Sequence, residues 1–135
     1  MTGVLVDSNV LLDIITEDAE WLSWSAEALE DAANQFRLII NPVIYAEVSV
    51  RYSRIEELDA ALPKGLFERE AIPFEAAFLA GKSFSIYQRR KGTKRSPLPD
   101  FFIGAHAAIA GYQLLTRDAA RYRTYFPSVP LVTPN

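Results

Sequence analysis

Short runs of apolar, β-branched residues recur along this chain, and stretches with helical spacing separate them. Gly3 to Asp7 and Phe36 to Ile40 read as buried strands, because neither run alternates apolar with polar residues. Leu66 to Ile72, Gln113 to Thr116 and Pro130 to Thr133 give three more short strands. Helices are expected between them. They run from Val10 to Ile15, capped by Ser8 and Asn9, from Ala19 to Asn34, from Pro42 to about Tyr52, and from Arg54 to Leu62. A long helix opens at Phe74, a loop spans Gly92 to Pro99, Asp100 to Ala110 forms a small-residue helix stopped by Gly111, and a short helix follows Asp118. Strands alternating with helices imply a parallel sheet with helices on both faces. Ligands of such sheets bind beyond the C-terminal ends of the strands.

The expected buried stripes follow the 3.6-residue period. They are Leu22, Ala26, Leu29, Ala33 and Phe36 on the second helix, Val43, Ala46, Glu47 and Val50 on the third, and Phe74, Ala77, Phe78, Gly81, Phe84 and Tyr87 on the long one. At 135 residues the chain suits a single domain, 1–135, around one core. It has no Cys, which excludes a disulfide framework, a thiolate zinc site and a cysteine nucleophile. With His106 as its one histidine, a His-rich metal site within one chain is also excluded. No segment reaches the ~18 consecutive apolar residues of a membrane span, and no basic region precedes the first apolar run, so a cytoplasmic location is expected.

Against this apolar background four carboxylates stand out. Asp7 ends Val4-Leu5-Val6, Glu47 interrupts the Val43 stripe, Asp100 opens Phe101-Phe102-Ile103, and Asp118 follows Leu114-Leu115-Thr116-Arg117. Each has an ordinary alternative. Asp7 and Asp118 sit where caps are found, Asp100 suits a first helical turn, and Glu47 would serve as a rim residue or in a buried ion pair. Gathered in one low-dielectric pocket, the four would repel each other unless a hard cation such as Mg²⁺ or Mn²⁺ neutralised them, which points to phosphate chemistry. The net charge of −3 does not suggest a nucleic-acid binder. The distribution does: Lys82, Arg89, Arg90, Lys91, Lys94 and Arg95 crowd into the stretch just before Asp100. Trp21 and Trp24 fit either a helix edge in the core or an exposed patch for a partner.

The ordered set resembles the PIN-domain ribonucleases, and within them the VapC-type toxins of bacterial toxin–antitoxin pairs. The matching pieces are Val6-Asp7-Ser8-Asn9, Tyr45-Ala46-Glu47-Val48, Asp100-Phe101-Phe102-Ile103-Gly104-Ala105-His106-Ala107 and Leu115-Thr116-Arg117-Asp118. They span nearly the whole chain. The resemblance implies a three-layer α/β/α fold around a mostly parallel sheet and a Mg²⁺- or Mn²⁺-dependent endoribonuclease. It implies Asp7, Glu47, Asp100 and Asp118 as catalytic and metal-binding residues, with Asn9, Thr116 and Ser8 in support. Ser8 stands where the family more often has Thr. Implied partners are an RNA substrate held by Arg89, Arg90, Lys91, Lys94 and Arg95, a cognate antitoxin, a second copy in a homodimer, and operator DNA reached through the antitoxin. Two other classes remain open: a metal-dependent phosphohydrolase with Asp7 as nucleophile, and a non-catalytic α/β interaction module. The first wants a second Asp two residues on, where this chain has Asn9.

Overall fold

The computed structural model describes residues 2–91 and 98–134, with the side chain of Lys91 excepted. Five strands form one sheet: β1 (Gly3–Val6), β2 (Arg37–Ile40), β3 (Phe67–Arg69), β4 (Gln113–Leu115) and β5 (Leu131–Val132). Their order is β3-β2-β1-β4-β5, and every pairing is parallel. Seven helices connect them, both counts being of the described residues: α1 (Ser8–Ile15), α2 (Leu22–Gln35), α3 (Pro42–Ser49), α4 (Ile55–Ala61), α5 (Phe74–Lys91), α6 (Leu98–Ala110) and α7 (Ala120–Tyr125). Val4, Leu5 and Val6 point alternately to the two faces of the sheet, and all three are fully buried. Both faces are therefore covered, giving the three-layer α/β/α architecture.

The elements anticipated from the sequence are present within a few residues of their expected ends. Most of the expected Gly92–Pro99 loop lies outside the described residues. Gly111 takes φ +75°, a conformation open to glycine without a Cβ penalty, and ends α6 as expected. The small residues of α6 permit close packing. A Cβ on Gly104 would come within 2.4 Å of the Phe126 ring.

Three stripes are corrected. On α3 the fully buried residues are Ile44 and Val48, whereas Val50 is 82% exposed and Ala46 is exposed. On α2 the inward residues are Ser25 and Ala32, not Ala26 and Ala33. On α5 the core face is Ala76, Ala80, Ser83 and Tyr87, which leaves Phe74 92% and Phe78 68% exposed. On α2 the inward stripe sits one residue earlier than expected, because Trp24, Ala28 and Leu29 pack against the core beside Ser25 and Ala32; on α5 the reason is close packing. A small-residue face lets a neighbouring helix or sheet approach closely, and the buried area of that approach outweighs the burial of one larger ring.

Candidate active site

The chain leaves β1 for β2 on one side of the sheet, while β4 and β5 lie on the other. Their common boundary, at the C-terminal ends of β1 and β4, is the topological switch point where parallel sheets open a crevice. Asp7 sits there. Its backbone N–H donates to Leu115 O at 2.9 Å, which ties the end of β1 to the end of β4. Asp7 occupies the N-cap position of α1 but makes no side-chain cap hydrogen bond, so helix capping does not account for it. Its Oδ2 instead accepts from Thr116 Oγ1 at 2.9 Å and from the Tyr122 hydroxyl at 3.0 Å.

Ser8 and Asn9 are not caps either. They lie in the first turn of α1 and face the crevice. Ser8 Oγ donates to Glu47 Oε1 at 2.6 Å, and Asn9 Nδ2 donates to Thr116 Oγ1 at 3.2 Å. Asn9 Oδ1 accepts from the Arg117 N–H at 3.3 Å, and the Asp118 N–H donates to Thr116 Oγ1 at 3.1 Å. Thr116 is thus the hub that joins α1 to the segment after β4. Glu47, half-buried on α3, enters the same site through Ser8, although it lies beside the buried stripe of its helix rather than on it.

The electrostatics record how crowded the acids are. Asp7 is 3% exposed, and burial, then Asp100, push its carboxyl up to about 7, with Glu47 adding to the rise and Thr116 and Tyr122 opposing it. Burial also raises Glu47 and Asp100 above the ordinary carboxylate range. For Asp100 the Arg121 guanidinium works in the opposite direction and nearby Asp118 adds to the rise. The sequence set is therefore brought into mutual electrostatic range. It is not drawn into one compact cluster: among the described residues, no three His, Asp or Glu side chains lie close enough to hold a metal ion together. Asp118 is the outermost of the four and is exposed.

Two residues of this site went unread in the sequence, Arg121 and Tyr122. Arg121 Nη1 makes a short ion pair with Asp100 Oδ2. Tyr122 is 2% exposed, and its phenol is kept protonated by burial and by Asp7 and Asp100. The available signal was the spacing of Tyr122, Tyr125 and Phe126, which places one face of α7 inward. A second cluster braces the site. Asp13, 3% exposed, accepts both Arg117 Nε at 2.7 Å and Arg117 Nη2 at 2.9 Å, and also Ser25 Oγ at 2.8 Å. The Arg117 guanidinium lies 5.3 Å from the centroid of the Trp21 ring, so Trp21 borders this internal ion pair.

A family model for the PIN domain matches residues 4–127. This chain belongs to the PIN domain family. Solved structures with the same fold include VapBC2 of Rickettsia felis bound to a promoter DNA fragment, with 17% identity, a TM-score of 0.71 and 97% of this chain and 98% of that chain covered. DNA-bound VapBC of Salmonella typhimurium matches with 20% identity, a TM-score of 0.67 and 98% of both chains covered. A toxin–antitoxin complex of Klebsiella pneumoniae matches with 22% identity, a TM-score of 0.68 and 98% coverage of both chains. No curated protein matches this chain.

Of the remaining sequence-derived positions, Arg89 and Arg90 are exposed at the end of α5 in this PIN domain. Arg90 lies 5.9 Å from the centroid of Tyr125, at the edge of an aromatic cluster that includes Phe101, Tyr87 and Phe84. Lys94 and Arg95 lie outside the described residues, as does the Lys91 side chain. Phe101 is fully buried in the aromatic cluster rather than facing a groove. His106 is a core histidine: Asn41 Oδ1 accepts the Ile44 N–H, so Asn41 Nδ2 faces His106 Nδ1 at 3.0 Å, leaving Nε2–H to donate to Glu70 at 3.0 Å. No described helix is long and apolar enough to cross a membrane.

Proposed function

We propose that this PIN domain is a metal-dependent endoribonuclease and the toxin of a type II toxin–antitoxin pair. The observation that carries the reading is the Asp7 carboxyl. It is buried at the switch point among Asp100 and Glu47, where ionisation is so costly that its pKa stands at about 7. A hard divalent cation relieves that cost, and the donor set, all carboxylate and hydroxyl oxygens, has the chemistry Mg²⁺ or Mn²⁺ prefers.

Asp7, Asp100 and Asp118 would hold the ion, with Glu47 as a further ligand or as a base beyond it. When bound, such an ion supplies a water of lowered pKa and offsets charge developing on the phosphoryl oxygens. Thr116 fixes one oxygen of Asp7 by its hydroxyl, Asn9 orients Thr116, and Ser8 does the same for Glu47, so that the carboxylates keep their directions. Arg89 and Arg90, with Lys91, Lys94 and Arg95 beyond them, would grip the RNA backbone electrostatically, leaving selectivity to RNA shape and unstacked bases.

The structural neighbours are toxin–antitoxin complexes, two of them with DNA. On that basis the partners proposed for this chain are a cognate antitoxin and operator DNA contacted through the antitoxin; the family resemblance adds a second copy of itself. Incubating the purified protein with total RNA, with Mn²⁺ or with EDTA, tests the activity. New 5′ ends are expected with Mn²⁺ only, and none from the Asp7→Asn protein. Cleavage that persists in EDTA, or in Asp7→Asn, overturns the reading. A protein with neither cleavage nor any Mg²⁺- or Mn²⁺-dependent gain in melting temperature would instead be a binding module.

A further inference from the structure

Asp100 already has a cationic partner. Arg121 donates to it in a short ion pair whose side chains are 28% and 27% exposed, at the rim rather than the floor of the crevice. The guanidinium also lies over the Tyr87 ring, 5.8 Å from its centroid. Tyr87 is itself packed against Phe84, Phe101 and Tyr125. The next residue, Tyr122, donates to Asp7. Two consecutive side chains of one short helix therefore engage two acids of the site, one with a positive charge and one with a hydroxyl. The remaining acids repel Asp100, and Arg121 offsets them. With Asp100 held this way, no three described acids converge closely enough to share an ion.

We propose that Arg121 is a resident counter-cation for Asp100, which a divalent ion must displace in order to bind. The inference rests on the reading of Asp100 as a metal ligand and adds a positioning residue to it. Arg121 substitutes for the metal's charge, keeps the metal-free pocket from expanding under its own repulsion, and weakens metal affinity by the strength of the pair that is broken. A partly exposed ion pair of this kind corresponds to at most about five-fold in affinity.

Calorimetric titration of the folded proteins with Mn²⁺ alone tests this. Arg121→Gln and Arg121→Met are expected to bind Mn²⁺ up to about five-fold more tightly than the wild type. Arg121→Lys, which keeps the charge, should restore near wild-type affinity. Arg54→Gln, which removes a distant surface charge, should change nothing. In the wild-type protein the Arg121 side-chain nitrogen resonances should move as Mg²⁺ is added, a readout that needs no variant to fold. Unchanged or weaker Mn²⁺ binding by both neutral variants, or Arg121 resonances indifferent to saturating Mg²⁺, overturns the proposal while leaving the metal site standing. Equal Mn²⁺ affinity of the wild type and Asp100→Asn would remove Asp100 as a ligand and sink the underlying reading as well.

Discussion

On the proposed reading, Asp7 sets stability against function within one side chain. Its carboxyl has a pKa of about 7 in the folded protein against 3.8 for the free group. The folded state therefore holds a proton that the unfolded state has lost between those values, and in the metal-free protein this group's contribution to stability falls as pH rises from about 4 to about 7. Asp7→Asn removes the titration while keeping an acceptor for Thr116 and Tyr122. The variant should be more stable than the metal-free wild type at pH 8, by on the order of a few kcal/mol, and so melt higher, with the gap closing toward pH 4. Thermal melts of both proteins in EDTA across that range check the sign. A gap that widens toward acid would contradict it. Gly104 makes a separate prediction. Gly104→Ala forces the Phe126 ring to shift, and a loss of about 1–3 kcal/mol is expected in urea unfolding.

At the scale of elements, the segment from β4 to α7 brings Thr116, Asp118, Arg121 and Tyr122 to the site, and Asp13 anchors it. Arg117 lies between Thr116 and Asp118, and its forked contact with a nearly buried carboxylate clamps the loop onto α1. Asp13→Ala strips that clamp and also orphans Ser25. A destabilisation of about 3 kcal/mol is expected, with faster amide exchange at residues 116–119, measured by hydrogen exchange. How far these elements were legible depended on which force decides each one. Strands β1, β2 and β4 could be read because both faces are covered and each is an unbroken apolar run after at most one polar residue. The acids at Asp7 and Asp100 could be read because a charge in such surroundings needs a reason. Glu47 was found through a stripe that the fold does not use: Ile44 and Val48 face the core, and Glu47 reaches the site through Ser8. On the inward face of α5, Tyr87 was legible but Ala76, Ala80 and Ser83 were missed because they are small, and the Arg121–Asp100 and Arg117–Asp13 pairs were missed because nothing local in a sequence announces a contact made across the fold.

For the molecule as a whole, ion binding should couple to folding. A ligand that binds only the folded chain raises its stability with the logarithm of concentration, so Mg²⁺ or Mn²⁺ at about 100 times its Kd should add roughly 2.7 kcal/mol. Melting curves over a Mn²⁺ series measure this, and a flat series would count against the site. The same sheet order carries a consequence for synthesis. Thr116 and Tyr122 meet Asp7 only after the β4 stretch pairs with β1, so the pocket joins segments 109 and 115 positions apart in the sequence. A ribosome that has translated β1, β2 and β3 but not β4 holds a chain in which Asp7 lacks both hydroxyl partners. The fixed orientation of the Asp7 carboxyl is therefore withheld until the β4 and α7 stretches have been made.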